Sequence, residues 1–245
     1  MTLVHWADAS RETLTEVLPE ALVILPVGAT EQHGRHLATG TDALVAATAA
    51  ERAAAVAAGR AGRPLVLAPT LPFGASDHHL SFGGTLSLTP ETLLAVLLDL
   101  LRSVAAGGGR RVVLVNGHGG NVGVCHAAAA AASTRHGLAV AHVDYWRFAA
   151  DDPSGAVPGH AGEFETSLVA AVRPDAAGPV PPRTRPLPET AAKPAGATVH
   201  DAALWASIDG YTDHPERATA ADGAARLDTV VAGLAACLAE LTETL

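Results

Sequence analysis

The sequence predicts an α/β fold in which a mostly parallel sheet is covered by helices on both faces. Short apolar runs alternate along the chain with longer alanine-rich segments, an order that is typical of βαβ units. Hydrophobic residues make up 49% of the 245 residues and charged residues 17%, which is enough apolar sequence for a sizeable buried core. Aromatic residues account for only 4%, so we expect that core to be built from closely packed Ala, Val and Leu.

Four short apolar runs are predicted as strands. A strand that is buried on both faces has a continuous hydrophobic sequence, and the first of these runs also ends at a glycine. The predicted strands are residues 21–28, 64–69, 111–116 and 138–144.

Five segments between and after these runs are predicted as helices. The first has Thr41 or Asp42 near its start, and the second opens with Thr-Pro-Glu and closes on three glycines, which are typical helix boundaries. The predicted helices are residues 41–58, 89–106, 119–136, 165–173 and 218–241.

Residues 174–196 are rich in Pro, Ala and Gly and could form either an interdomain linker or a long surface loop. Only about 50 residues follow this segment, too few for a typical second domain. A surface loop within a single domain of residues 1–245 is the better interpretation.

Several classes of protein are disfavoured by composition. The net charge is −9 and no basic cluster occurs, so we expect no nucleic-acid partner. No run of 18 apolar residues occurs, and residues 1–10 lack a basic cluster before an apolar run, so we expect neither a membrane span nor a secretory signal. Cys125 and Cys237 lie far apart in helix-like segments and are interpreted as thiols in a reducing cytoplasm.

Histidines and carboxylates follow all four predicted strands. Ligands of open α/β sheets bind beyond the carboxyl ends of the strands, so these side chains are expected to meet at one edge. In chain order they are Glu31, His33 and Asp42; Ser76, Asp77, His78 and His79; Asn116, His118 and Asn121; and His160, Glu163 and Glu165.

Each group has a simpler interpretation when it is taken alone. Glu31 and His33 could belong to a solvated turn, and Asp42 could be a helix cap. Residues 116–121 could be a glycine-rich turn that binds an anion. Together, however, the four loops supply the mixed N and O ligands of Zn²⁺ or Mn²⁺, and a pair of such ions is a known hydrolytic arrangement.

The motifs EQHG at residues 31–34, NGHGGN at 116–121 and HAGEFETS at 160–167 resemble the creatininase family of metal-dependent amidohydrolases. Residues 76–85 and 210–220 add weaker matches, so the resemblance covers nearly the whole chain in the family's order. It implies a three-layer α/β/α sandwich, a homohexamer and two divalent ions, Zn or Mn with Fe as a further option.

The resemblance also implies roles for individual residues. By motif position, Glu31 and His118 are ligands of one ion, His33 and Glu165 are ligands of the other, and Asp42 bridges the two. Glu165 is preferred to Glu163 as a ligand because the family places this carboxylate five residues after the motif histidine.

His160 resembles the family's proton-transferring residue, outside the metal ligands. Glu163 is a second candidate, either as an acid or base or as a supporting carboxylate. The residues assigned to substrate binding are Ser76, Asp77, His79, Gly119 and Trp146.

The chain also departs from true creatininases. Their motif has a glutamate where this chain has Gly120, and a pocket tryptophan where it has Ala156, whereas Trp146 matches their other pocket tryptophan. Creatinine is therefore not the expected substrate. Trp205 and Tyr211 lie near a late loop that approaches the pocket in the family, and their role is left open.

The expected reaction is hydrolysis of a C–N bond in a small amide, lactam-like or peptide-derived substrate, with a metal-bridging hydroxide as the nucleophile. Two alternatives remain at this point: a ring-opening hydrolase of a cyclic ketone or lactone, and a non-catalytic metal-binding assembly protein. A nicotinamide-dependent enzyme is disfavoured because residues 117–120 do not match the GxGxxG spacing.

Overall fold

The computed structural model describes residues 2–149, 158–185 and 199–245. Within these ranges the strands are β1 (Leu3–His5), β2 (Leu22–Val27), β3 (Leu65–Leu67), β4 (Arg111–Asn116) and β5 (Ala139–Asp144). They form one sheet in the order β1-β3-β2-β4-β5, and every neighbouring pair is parallel.

The described helices are α1 (Arg11–Val17), α2 (Thr41–Ala57), α3 (Pro90–Ala106), α4 (Val122–His136), α5 (Glu163–Val172), α6 (Ala202–Ser207) and α7 (Ala220–Thr244). Short 3₁₀ helices lie between them, and the one at Asp77–Phe82 follows β3 and approaches the functional site.

The sheet lies between two helical layers. Side chains alternate along a strand, so Leu22 and Ile24 of β2 face the cluster that contains α2, α5 and α7, whereas Val23 and Leu25 face the cluster of α3 and α4. The expectation of an α/β sandwich with a parallel sheet is confirmed.

Small side chains bring helix α2 close to its neighbours. Ala49, Ala53 and Ala57 recur at fourth positions of α2, and all three are fully buried in the layer shared with α5 and α7. The opposite layer uses leucine instead, with Leu93 and Leu97 of α3 fully buried. Each of these leucines contributes roughly 1.5–3 kcal/mol by burial.

The connections of the two central strands determine where a ligand can bind. The chain leaves β2 for α2 on one face of the sheet, and leaves the adjacent β4 for α4 on the other face. The two connections therefore diverge at the carboxyl ends of β2 and β4 and leave a crevice between them. This crevice is the usual ligand position in open α/β sheets.

Several elements were not predicted. β1 has three residues at the sheet edge and no apolar run to mark it, and α1 and α6 are only seven and six residues long. The predicted helix at 165–173 begins earlier, at Glu163. Of the predicted loop at 174–196, residues 186–196 lie outside the described residues.

Both cysteines are free thiols, as expected. Cys125 is buried in the α4 layer, and burial raises the pKa of its thiol to about 12. In the described part of the chain, no helix is both long enough and apolar enough to cross a membrane.

Candidate metal centre

The loop after β2 brings three candidate ligands together. Gly28 makes this possible, since a Cβ there would lie 2.5 Å from the backbone of Ala43 in the first turn of α2. His33 Nε2 lies 3.0 Å from Asp42 Oδ1. The other ring nitrogen, Nδ1, donates to the carbonyl of Glu31 at 3.0 Å. This bond orients the ring so that Nε2 faces the carboxylate, as in many metal-binding histidines.

The loop after β4 adds His118. The Asn116 side chain fixes its backbone: Oδ1 accepts from the His118 amide at 3.0 Å, and Nδ2 donates to the His118 carbonyl and to Asp144 Oδ1, both at 2.9 Å. The His118 imidazole lies between two carboxylates, with Nε2 3.3 Å from Glu31 Oε2 and Nδ1 3.2 Å from Asp42 Oδ2.

The segment that leads into α5 supplies His160 and Glu165. Between them Ala161 has φ +47°, the one positive φ among the described non-glycine residues, and its amide donates to Glu165 Oε2 at 2.5 Å. His160 Nε2 donates to the Gln32 carbonyl at 2.8 Å, which leaves Nδ1 at 3.4 Å from Glu31 Oε1. Glu165 Oε2 is 3.8 Å from His33 Nε2.

Loop residues after β3 complete the cluster. His79 Nε2 lies 3.4 Å from Glu31 Oε1, and its Nδ1 accepts from the Gln32 side-chain amide at 3.0 Å. The indole of Trp205 meets the His79 ring edge-on at 4.3 Å and the His160 ring at 5.3 Å. Trp205 therefore covers the histidines on the solvent side, since it is itself half-buried.

The donor set fits a divalent cation. Glu31, Asp42 and Glu165 are all buried, yet both carboxylate oxygens of Glu31 and Oδ2 of Asp42 make no hydrogen bond within the described ranges. Buried acceptors without partners are costly unless a cation satisfies them. Among the described residues, sets of three donor atoms within 4.8 Å of one another occur four times: Glu31, His79 and His160; Glu31, His78 and His118; His33, His160 and Glu165; and Glu31, His33 and Asp42.

Burial and neighbouring charges raise the pKa values of three side chains in the cluster. Burial lowers the pKa of His33, but the carboxylates of Asp42, Glu165 and Glu31 together outweigh burial and raise that pKa to about 10. Glu31 and Asp42 likewise overcome burial and raise the pKa of His118 well above its usual value. The pKa of Glu165 is raised to about 7, because burial outweighs the nearby His33.

We expect metal binding at pH 7 to release protons. A histidine must be neutral to ligate, and the raised pKa values of His33 and His118 mean that both are protonated in the metal-free protein. The affinity should therefore rise as the pH is raised from 6 towards the pKa of His33. Titration calorimetry in two buffers of different ionisation enthalpy measures this release, and identical heats in both buffers would contradict it.

Three of the residues assigned to substrate binding lie beside the cluster. Ser76 Oγ is 3.3 Å from His118 Nε2, Gly119 follows His118 directly, and His79 contacts Glu31. Asp77 is not among them: it is exposed and accepts a hydrogen bond from Ser87 Oγ at 2.6 Å.

The structure does not bring Trp146 and Glu163 into the cluster. Trp146 is buried in the hydrophobic core on the α5 and α7 side of the sheet. The Glu163 carboxylate accepts from Arg226 Nη2 of α7 at 3.1 Å. Two positions along a helix point in nearly opposite directions, so Glu163 turns away when Glu165 faces the site. Ala156 lies outside the described residues.

The sequence predicts no role for two residues that the structure places at the site. The sequence indicates His78 only as part of the loop after β3, whereas in the structure it groups with Glu31 and His118. His36 is buried, and its Nε2 donates to the Ala161 carbonyl at 3.1 Å, next to His160. Two adjacent histidines after a buried strand could have indicated that His78 belongs to the site. No feature of the sequence indicates the same for His36.

Comparisons with known proteins identify the family of the chain. The creatininase family model, described as creatinine amidohydrolase, matches residues 7–238. Mycofactocin precursor peptide peptidase from Mycolicibacterium smegmatis is 37% identical over 161 residues, which cover 63% of this chain and 59% of that protein. Creatinine amidohydrolase from Pseudomonas putida is 33% identical over 177 residues, covering 64% of this chain and 66% of that one.

A solved structure named Creatininase Mn superposes with a TM-score of 0.79 at 26% identity, and the match covers 98% of both chains. The sequence matches span less than two thirds of the two curated relatives, whereas the family model spans nearly all of this chain. The resemblance found in the motifs is confirmed, and the chain belongs to the creatininase family.

Proposed function

We propose that the protein is an amidohydrolase that uses two divalent ions to cleave a C–N bond of a small amide, lactam-like or peptide-derived substrate. One observation carries the proposal: buried carboxylate oxygens of Glu31 and Asp42 without hydrogen bonds face the nitrogens of several histidines. The names of the two relatives, a peptidase and a creatinine amidohydrolase, both describe cleavage of amide bonds.

In this proposal Glu31 and His118 hold one ion, His33 and Glu165 hold the other, and Asp42 bridges them. The two oxygens of Asp42 support the bridging role, because Oδ1 is 3.0 Å from His33 and Oδ2 is 3.2 Å from His118. Mixed imidazole and carboxylate donors suit Zn²⁺ or Mn²⁺, and also Fe²⁺. Bound divalent ions of this kind polarise a carbonyl and lower the pKa of an attacking water.

His160 is proposed to move the proton. Its Nε2 is held by the Gln32 carbonyl, so Nδ1 faces the cluster and is free to exchange a proton with the reacting groups. His160 then delivers that proton to the leaving nitrogen. The pairing of Glu163 with Arg226 favours His160 over Glu163 for this step.

The substrate is proposed to enter beside Ser76, His79 and Gly119. Trp205 adds a flat apolar wall to this side, since its indole contacts the rings of both His79 and His160. This wall suits a planar amide or a peptide bond. Creatinine itself is not proposed, because the chain has glycine at position 120.

Metal analysis tests the proposal. We expect two divalent ions per chain after purification without chelator or after reconstitution with Zn²⁺ or Mn²⁺, measured by elemental analysis. The loaded protein should hydrolyse members of a panel of cyclic and linear amides. Less than one ion per chain after reconstitution would contradict the proposal.

We further propose that the protein is a single-domain cytoplasmic homohexamer. The loop after β3 supports association, since Phe73, Leu80, Phe82 and Leu86 are large apolar side chains exposed close together in sequence. Light scattering at micromolar concentration should give a mass well above the 24.7 kDa of one chain. A mass equal to one chain would refute the assembly and leave the metal site untouched.

A further inference from the structure

The loop after β3 presents two consecutive histidines to the metal cluster, and they have different surroundings. The Nδ1 atom of His79 accepts a hydrogen bond from the Gln32 side chain at 3.0 Å, and Nε2 lies 3.4 Å from Glu31 Oε1. Its ring also stacks on that of His160, with 4.1 Å between the centroids. The hydrogen bond from Gln32 and the stacking on His160 therefore fix the orientation of the His79 ring.

His78 is held differently. In the described part of the chain, no hydrogen bond joins its imidazole to another residue. Its ring lies parallel to that of His118, at 5.6 Å between centroids and 6° between planes, and Trp205 covers it at 5.4 Å. The side chain is thus held beside His118 by aromatic packing alone, with its nitrogens available.

Donor atoms of Glu31, His78 and His118 lie within 4.8 Å of one another. Two donors that each lie about 2.1 Å from one ion are separated by about 4.2 Å at most. Small rotations of the three side chains would therefore bring their donor atoms to a common ion.

The backbone around Gly120 limits which loop can supply a further metal donor beside Glu31 and His118. A Cβ at position 120 would lie 2.2 Å from the Ala75 carbonyl and 2.5 Å from His118 Nε2. No side chain on residue 120 can therefore approach the ion from the β4 loop. The β3 loop fills that space, and three residues after Ala75 it carries His78.

We propose that His78 is a ligand of the ion that Glu31 and His118 hold. The proposal rests on the proposed function, since it assumes that the cluster binds divalent ions. It gives this ion two imidazole donors beside the carboxylates. A donor set richer in nitrogen favours Zn²⁺ or Co²⁺ over Mn²⁺, because imidazole suits the former ions better than the harder Mn²⁺.

Metal binding to His78→Ala tests the assignment. The variant, the unaltered chain and His79→Ala are stripped with chelator and titrated with Co²⁺, while the visible absorption spectrum is recorded. Loss of a residue that only orients a ligand lowers metal affinity by 10–100-fold. Loss of a ligand should therefore lower the affinity for one of the two ions by at least about 100-fold. His79→Ala should retain both ions, and His136→Ala, at the end of α4, serves as a remote histidine control.

His78→Glu provides a second variant, because its carboxylate can ligate and should recover part of the affinity that His78→Ala loses. The spectrum should also change in His78→Ala, since one nitrogen donor is replaced by water. Unchanged affinity and spectrum in His78→Ala, beside two ions in the unaltered chain, would overturn this assignment alone. Failure of the unaltered chain to bind any ion would overturn the proposed function together with it.

Discussion

Asp42→Ala should lose at least one of the two ions. The Asp42 carboxylate is buried between His33 and His118, with Oδ1 3.0 Å from His33 Nε2 and Oδ2 3.2 Å from His118 Nδ1. Its removal takes away a shared negative charge, so two dications would face each other with less screening. Elemental analysis after reconstitution should show one ion per chain or none, with hydrolysis abolished.

Asp99→Ala is the matched control for this variant. Asp99 is an exposed aspartate of α3 that pairs with Arg102 one turn along the helix. Exposed pairs of this kind contribute little to stability, so the control should bind both ions and melt like the unaltered protein. Two tightly bound ions in Asp42→Ala would show that the ions do not share this carboxylate.

His160→Ala should have the opposite effect, with metal retained and turnover lost. In the proposed mechanism His160 moves a proton and is not needed to hold either ion. Loss of a general acid or base lowers turnover by roughly 10²–10⁴-fold. Metal content and turnover on a responsive amide are measured on the same preparation, with His214→Ala, a half-buried histidine paired with Glu216, as control.

The two ways in which this result could differ have different meanings. Donor atoms of His160 lie within 4.8 Å of those of Glu31 and His79, and also of His33 and Glu165. If His160→Ala loses an ion, His160 is a ligand and its assigned role is wrong. If it keeps both ions and full turnover, another group moves the proton, and His79 becomes the next candidate.

The architecture could be predicted because the local sequence of its central strands has a recognisable apolar pattern. Strand β2 is apolar at every position, and β4 is apolar at the four positions between Arg111 and Asn116, as burial on both faces requires. Strand β1 has no such run, since at the sheet edge it pairs with β3 alone and its three residues are only half-buried. Its place in the sheet is decided by tertiary pairing that local sequence does not encode.

The candidate site was predictable where its residues form spaced motifs and not where they meet by packing. Glu165 could be separated from Glu163 by its distance from His160 along the chain, and the structure brings Glu165 to His33 and pairs Glu163 with Arg226. The contact of His78 with His118 depends on how two loops from different strands cross. No spacing within either loop reveals it.

The side chains of the cluster come from the segments that follow β2, β3, β4 and β5, spread from residue 31 to residue 165, and two of them, Asp42 and Glu165, lie in the first turns of α2 and α5. A nascent chain therefore has no complete coordination site until the sheet has formed and α5 has packed against it. Ions that bind only the folded chain stabilise it by about 2.7 kcal/mol at a free concentration of 100 times their Kd. Metal loading of the proposed site should therefore follow completed folding, and a chain that stops short of its native state should remain unloaded.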